Sequence, residues 1–586
     1  MSFYKYQSAL GLNPRSILGL LELCLGFIFI GLARSEISIG LLLIFSVSFV
    51  LVRVCWMLFE VSGVPKLLIH GGLLFFFISA IIGVGVSYDP QLSLPSLTAL
   101  IGGYFFLYAV LDIQPKSNEF LIGTLVLAGA IMGLCFIATY STFEYDAKVG
   151  FIHSLGQQLQ LFGVGTFGKL DRNAVASSLE GIFLLSLVML SLRRRAWVVW
   201  LIASGVIAYA LLLTASRGAW IGLGFAIFLW GYLRGYRQFQ SLYGRVILLI
   251  VLIGVMILMF GNTSLSNIAF LTSDSGRSDL FNNVKYLWGD TWLTGIGLGQ
   301  PFTMVYSTFV LLIYVPFLRY AHNIFFQIGL GQGLLGLTSF IALLVGLYLD
   351  VKANRSKVAV DQRPIFDAIW LGLTATLLHG MVDSTQFIEF LSLPPLFILM
   401  GLTARFCPYR TTFKVQRRYL YRIGAGLAVA LLLVGLISWK SLMADFYVNK
   451  AALTLIDASL APNLTEMDQT KLRDQASSNL QRALAYRPEH SGAQRWLGLI
   501  DYWQEDFEAA IPYFTAAITT ETDNFTLWKG LGYAYLWSGD EEMASFYLKH
   551  VPEAHSELAS YAQWWRGRGY PDRSEHAIMV QRILAE

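Results

Sequence analysis

Charged residues are scarce in this sequence. Only 14% of its 586 residues are Asp, Glu, Lys or Arg, whereas 55% are hydrophobic. Soluble domains carry about 25% charged residues, so the composition excludes an ordinary soluble protein and predicts a membrane protein. Only four cysteines are present, without metal-ligand spacing, so neither a disulfide framework nor a zinc site is expected. The small net charge of +4 provides no nucleic-acid-binding surface.

Long apolar runs dominate residues 1–443. A hydrocarbon core requires roughly 20 mostly apolar residues per helix, and about 13 such segments can be distinguished. They begin near Ile17, Ile37, Lys66, Leu94, Glu119, Asn173, Ala196, Gly218, Val246, Asn323, Ile365, Phe387 and Ile423. The expected fold class is therefore all-α, with a polytopic membrane domain of about 13 transmembrane helices.

Basic residues cluster in alternate connections between these segments, for example at 193–195, 234–245 and 405–422. Such loops normally face the cytoplasm. The opposite connections, including two long ones at 141–172 and 262–322, are therefore predicted to face outward. With an inside N-terminus, the C-terminal segment is predicted to be extracytoplasmic.

The C-terminal segment, residues 444–586, has a soluble composition and an internal repeat. Residues 491–524 align with residues 525–558, with a Leu-Gly pair at the same position in both. The 34-residue period is that of a tetratricopeptide unit. We expect an α-helical tetratricopeptide-repeat domain that binds a protein partner or braces the membrane domain.

The outward loop 262–322 is long, and long loops are commonly functional. Residues 279–288 predict an amphipathic helix lying on the membrane. Its apolar face would consist of Leu280, Phe281, Val284, Leu287 and Trp288. The apolar stretch 304–318 is too short to span the membrane and contains Pro316, which predicts an interfacial or re-entrant segment.

Unusual polar residues of the membrane domain all fall on the predicted outer face. Five connections supply them: Arg172 and Asn173; Arg217; Arg277; His322 and Asn323; His379 and Asp383. Arginines suit a di-anionic ligand, because a guanidinium donates two parallel hydrogen bonds to phosphate oxygens. A lone histidine among them suits a proton acceptor. No Asp-x-Asp motif or paired histidines accompany them, so neither a metal nor a cofactor is expected.

Each of these residues also has a structural explanation. Arg217 is compatible with snorkelling to the lipid headgroups, and Asn323 with a cap on the following helix. Asp383 is compatible with a structural hydrogen bond, and Arg172 and Arg277 with solvated loop charges. Their coincidence on one face favours the functional interpretation.

Several motifs, in their order, resemble the O-antigen ligase and polymerase superfamily of bacterial inner-membrane glycan transferases. They are "DRNAVA", "TASRGAW", "GRSDLF", "GIGLGQPF", "AHNIFFQIGLGQGLLG" and "LHGMVD", and the resemblance covers roughly residues 10–443. It implies a membrane glycosyltransferase-C-like fold and a polyprenyl-diphosphate-linked glycan, such as an undecaprenyl diphosphate, as donor. Transfer to an acceptor hydroxyl is implied to be extracytoplasmic, metal-independent and inverting.

The resemblance also implies roles for individual residues. Arg217 and Arg277 would bind the diphosphate, and His322 would lie at the reacting centre as proton acceptor. Arg172 and Asn173 would line the same cavity. A ligase to a lipid core, a glycan polymerase and a protein O-oligosaccharyltransferase share these motifs and remain open.

A transporter of an anionic substrate is the alternative from another class. It is disfavoured because the helices show no convincing repeat and the charges lie at one face. A scaffold with an inactive membrane domain is disfavoured by the intact Arg217, Arg277 and His322.

Overall fold

The computed structural model describes most of the chain. It covers residues 14–33, 40–59, 64–113, 118–140, 170–192, 196–235, 275–388, 390–405 and 435–585. All regular elements within these ranges are helices, so the all-α prediction is confirmed for them. The spans expected near Val246 and Ile423, and most of the loop 141–172, lie outside the described residues.

The membrane part contains fourteen described helices. They are α1 (Pro14–Leu32), α2 (Gly40–Phe59), α3 (Val64–Gly85), α4 (Pro90–Asp112), α5 (Asn118–Ala138), α6 (Arg172–Leu192), α7 (Trp197–Leu213), α8 (Arg217–Leu233), α9 (Ser275–Thr291), α10 (Pro301–Phe309), α11 (Ile324–Asn354), α12 (Arg363–Gly380), α13 (Thr385–Ile388) and α14 (Leu393–Arg405). Helix α3 packs along α11, α1 along α4, and both α6 and α8 against α12.

Five of these helices, α3 to α6 and α11, are long and apolar enough to cross a membrane. Helices α1, α2, α7, α8 and α14 are apolar but shorter. The structure thus supports an α-helical membrane protein, with fewer full-length spans in its described part than the 13 expected. The span expected from Phe387 is divided into α13 and α14. Pro394 and Pro395 stand in the first turn of α14, where a missing amide donor costs no helical hydrogen bond.

Helix α11 is broken at Gly333, whose φ of 64° lies in the left-handed region. A side chain is excluded there, since an added Cβ would lie 2.4 Å from the Leu293 carbonyl oxygen. Backbone groups beside the break pair with the segment after α9: Ile296 N donates to Leu330 O at 2.6 Å. The glycine-rich motifs "GIGLGQPF" and "GLGQGLLG" therefore hold the segment after α9 against α11.

The C-terminal segment forms eight helices. They are α15 (Trp439–Leu460), α16 (Glu466–Tyr486), α17 (Ser491–Trp503), α18 (Phe507–Ile518), α19 (Phe525–Ser538), α20 (Glu541–Leu548), α21 (Ala554–Gly567) and α22 (Pro571–Ala585). Successive helices pack as pairs, and the pairs that start at Ser491 and Phe525 recur at the period of the sequence repeat. Helix α15 runs across the predicted domain boundary at residue 443.

Helices α9 and α10 share a hydrophobic core with the C-terminal helices. Phe309 of α10 contacts two rings of α17, with ring centroids 5.2 Å from Trp496 and 5.0 Å from Trp503. Helix α9 and its apolar face are confirmed. The prediction that this face lies on the membrane is wrong. Leu280, Val284 and Leu287 are instead buried in this core, because α9 packs against α15 and α17. The segment after α10 exposes apolar side chains, and its interfacial position stays a prediction.

A buried ion-pair network joins the same two parts. Arg495 Nη2 of α17 lies 2.9 Å from Asp290 Oδ2 of α9, and its Nε lies 2.8 Å from Glu521 Oε2. The Trp496 indole donates to the same Asp290 oxygen at 2.8 Å, and the Asn524 amide donates to Glu521 at 2.6 Å. The C-terminal helices are therefore joined to α9 and α10 by apolar contacts and to α9 by charged contacts.

Candidate active site

Three helix N-termini and one turn meet at one end of the membrane bundle. Helix α6 begins at Arg172, α8 at Arg217, and α11 directly after Asn323. The turn between α12 and α13 contributes Asp383. Residues from four of the five connections named from the sequence thus lie near one another.

The buried carboxylate of Asp383 organises the polar contacts of the site. Asn173 Nδ2 donates to its Oδ2 at 2.7 Å, and the Thr385 amide donates to its Oδ1 at 2.9 Å. His322 Nδ1 lies 3.7 Å from Oδ2. A fixed carboxylate beside one ring nitrogen helps to orient the imidazole.

His322 has an unusual backbone conformation. Its φ of 49° lies in the left-handed region, which non-glycine residues rarely adopt outside turns and functional sites. The imidazole ring centroid lies 4.6 Å from that of Tyr320, and the side chain is 21% exposed. The ring is therefore held from two sides yet reachable from outside the bundle.

Asn323 has the structural role that the sequence offered as an alternative. Its Oδ1 accepts hydrogen bonds from the Phe325 and Phe326 amides at 2.9 and 3.1 Å, so it caps α11. Its Nδ2 donates to the Met381 carbonyl oxygen at 2.8 Å, which ties α11 to the turn that carries Asp383. Contact of Asn323 with a substrate stays a prediction.

The Ser-Arg-Gly motif is held against His379. Ser216 Oγ lies 3.1 Å from His379 Nε2. Gly218 packs so closely on the same ring that an added Cβ would lie 2.6 Å from His379 Cδ2. Arg217, between these two residues, is partly buried at the first position of α8. Serine and glycine thus fix the turn from which the arginine projects.

The structure gives fewer details of the other two predicted arginines, Arg172 and Arg277. Arg172 is partly buried at the start of α6, next to Asn173. Arg277 lies in the first turn of α9, and its side chain lies outside the described part of the chain. The described contacts therefore connect Asn173, His322 and Asp383 directly and leave Arg277 as a prediction from sequence.

Residues 202–341 match a family model described as O-antigen ligase. The match spans roughly a quarter of the chain, from α7 into α11, and it contains Arg217, Arg277 and His322. It supports the O-antigen ligase superfamily and hence a membrane-bound enzyme of the glycosyltransferase type. A comparison with curated proteins finds no match.

Glu180 is a buried residue of this candidate site that the sequence interpretation missed. Its Oε2 lies 3.3 Å from His379 Nδ1, and both side chains are almost fully buried. The available signal was a lone carboxylate within an apolar span, which is costly unless it has a partner. His379, predicted to bind substrate, contacts Ser216 in the turn that carries Arg217, and its contact with a substrate stays a prediction.

The histidines affect the ionisation of Asp383. Burial alone would raise the pKa of this carboxyl group, but His322, His379 and the Thr385 amide lower it to about 2. Aspartate in an unfolded chain titrates at about pH 3.9. Because the folded pKa is lower, ionised Asp383 stabilises the fold fully above about pH 4, and this contribution is lost as the pH falls toward about 2.

We expect this titration to be visible in the stability of the detergent-solubilised protein. Between about pH 4 and pH 2, the wild type should lose thermal stability more steeply than Asp383→Asn, which has no carboxylate to protonate. Thermal unfolding of both proteins across this range measures the difference. Parallel curves would show that Asp383 gains no stabilisation from its neighbours.

Proposed function

We propose that the protein transfers a glycan from a polyprenyl-diphosphate carrier of the undecaprenyl type to an acceptor hydroxyl. The observation that carries the proposal is the pairing of a partly exposed His322 with the buried, ionised Asp383. This pair lies where the arginine-bearing helices α6 and α8 begin, within the same site. The O-antigen ligase match over 202–341 supports the same reaction class.

The donor's diphosphate would be bound by arginine. Arg217 and Arg277 can each donate parallel hydrogen bonds to phosphate oxygens, and Arg172 adds a third cation at the start of α6. Diphosphate is already a good leaving group, so the protein mainly has to hold its charge and orient the acceptor. A lipid diphosphate thus explains why a cation is placed at the end of an apolar helix.

His322 would act as general base. The acceptor oxygen attacks the anomeric carbon, the bond from that carbon to the diphosphate oxygen breaks, and the diphosphate leaves with the electron pair. The acceptor proton passes to His322, which Asp383 helps to orient. Direct attack inverts the anomeric configuration. Asn173 holds Asp383 in place, so we assign it a positioning role at the edge of the substrate cavity.

We propose no metal in this reaction. In the described ranges, no group of three or more His, Cys, Asp or Glu side chains could hold an ion. The proposal stands on the arginines, which supply the positive charge that a divalent cation would otherwise provide. Turnover should therefore be unaffected by a chelator.

We place the enzyme in a bacterial inner membrane with about 13 spans, an inside N-terminus and an extracytoplasmic C-terminus, from the basic clusters at 193–195, 234–245 and 405–422. A periplasm-active reporter fused after Glu586 should be active, and a cytoplasm-active reporter at the same position should be silent. The reverse pattern would overturn the orientation and place the candidate site on the cytoplasmic face.

We assign residues 444–586 to a tetratricopeptide-repeat domain and propose that it braces the outward loop. The shared core and the Arg495 network support bracing. A protein partner on the remaining surface of the domain is compatible with this role. The domain would thus belong to the catalytic unit.

The acceptor distinguishes a ligase, a polymerase and a protein O-oligosaccharyltransferase. Purified protein incubated with a polyprenyl-diphosphate glycan and, separately, a lipid core, a second lipid-linked glycan or a hydroxyl-bearing protein should yield one glycosylated product by mass spectrometry. No product with any acceptor, together with donor movement across sealed vesicles, would favour the anion transporter instead.

A further inference from the structure

We propose that Ser216, His379 and Glu180 form a buried positioning array that sets the direction of Arg217. The inference rests on the proposed glycan transfer, in which Arg217 binds the donor diphosphate. None of the three residues need touch substrate. Their role is to hold the turn between α7 and α8.

The array consists of a carboxylate and a hydroxyl on the two ring nitrogens of one imidazole. Glu180 Oε2 lies 3.3 Å from His379 Nδ1, and Ser216 Oγ lies 3.1 Å from His379 Nε2. The carboxylate on one ring nitrogen fixes the imidazole orientation, and the other nitrogen is thereby directed at the serine. Ser216, the residue before Arg217, is thus connected through His379 of α12 to Glu180 in the interior of α6.

The serine departs from the usual behaviour of a residue at a helix start. Helix α6 is capped by Asp171, whose Oδ1 accepts from the Ala174 amide at 2.8 Å, and α11 is capped by Asn323. Ser216 precedes α8 at the same position but makes no capping hydrogen bond to that helix. Its hydroxyl contacts His379 instead. The serine therefore acts as a tether and not as a cap.

The turn itself is tightly constrained. Ala215 has a φ of 50°, in the left-handed region. Gly218, on the other side of Arg217, lies against His379 and Val382, with no space for a Cβ. Contacts on both sides of the arginine thus converge on one buried imidazole. A small movement of His379 would change the direction of Arg217.

His379 is also linked, through Ser177, to residues that hydrogen-bond to Asp383. Ser177 Oγ lies 3.4 Å from His379 Nδ1 and 3.3 Å from Thr385 Oγ1, and it donates to the Asn173 carbonyl oxygen at 2.7 Å. Thr385 and Asn173 both hydrogen-bond to Asp383. The array therefore connects the diphosphate-binding arginine to the residues that orient His322.

The test is a double-mutant cycle on donor affinity and turnover. Ser216→Ala should weaken donor binding and kcat/KM by about tenfold, the scale of one lost hydrogen bond. In an Arg217→Lys background the same change should cost less than about twofold, because the bidentate fork that the serine directs is already lost. Ser216→Thr keeps the hydroxyl and should restore most of the activity. Ser186→Ala is the matched control: Ser186 is also buried in the bundle, but its hydroxyl donates within its own helix, to the Phe183 carbonyl oxygen.

A second pair of variants tests the contact of Gly218 with His379. Gly218→Ala should reduce donor binding and turnover at least as strongly, since the new methyl displaces His379 or the turn. Gly224→Ala, on the same helix with open space around it, should change neither. Wild-type stability in detergent for all variants would show that the losses are local.

Equal losses for Ser216→Ala in both backgrounds, or none in either, would overturn the positioning role while leaving glycan transfer intact. Failure of the threonine variant to recover activity would also overturn it. If the wild type itself transfers no glycan, the proposed function falls, and this inference falls with it.

Discussion

His322→Ala should lower turnover by roughly two to four orders of magnitude, the usual contribution of a general base. Donor binding should remain nearly unchanged, because the diphosphate is held by arginines and not by the imidazole. Titrating the purified variant with a polyprenyl-diphosphate glycan and measuring its single-turnover rate separates the two quantities. The expected result is a kcat defect with an intact donor Kd.

Two further variants make this result specific. Arg217→Lys keeps the charge but loses the bidentate fork, so it should weaken donor binding and turnover together. His555→Ala removes an exposed histidine of the C-terminal domain and should change neither. A strong loss of donor binding in His322→Ala would contradict its role as general base and would indicate that it binds the diphosphate.

Arg495→Met should destabilise α9 and the C-terminal domain. It leaves Asp290 and Glu521 buried without their cation, and breaking a buried ion pair from one side costs about 3–5 kcal/mol. Thermal unfolding of the detergent-solubilised protein should report this loss. Turnover should fall as well, because α9 and α10 lie on the chain segment that leads to His322.

A surface arginine provides the matched control. Arg487 lies 3.5 Å from Glu489 in an exposed ion pair, and such pairs contribute about 0–1 kcal/mol. Arg487→Met should therefore leave stability and turnover unchanged. If Arg495→Met also leaves both unchanged, the C-terminal domain does not brace the loop, and partner binding becomes its better-supported role.

Much of the site was predictable because its residues are conspicuous in an apolar sequence. A charge at the end of a spanning segment requires a partner or water, so Arg217, His322 and Asp383 stand out without any structure. Ser216 does not stand out in the same way, because a serine before a helix is ordinarily a cap. Glu180 was visible as a lone carboxylate, but its partner His379 comes from a distant helix that no local pattern identifies.

The contact of α9 and α10 with the C-terminal domain was not predictable for a related reason. The periodicity of residues 279–288 indicates an apolar face but does not say what covers it. An apolar helix face can be covered either by lipid or by apolar side chains of the protein, and the sequence pattern is the same in both cases. Asp290 and Arg495, far apart in the chain, carry no sequence signal of their pairing. The 34-residue period, in contrast, reappears in the helix starts at Ser491 and Phe525, because a repeat is a local property.

The most direct test of the central claim measures both products of one reaction. Purified protein with a polyprenyl-diphosphate glycan and its acceptor should release free polyprenyl diphosphate in a one-to-one ratio with glycosylated acceptor, with and without a chelator. His322→Ala should release neither at a comparable rate. Diphosphate release without glycosylated acceptor, or release that a chelator abolishes, would contradict direct, metal-independent transfer at this site.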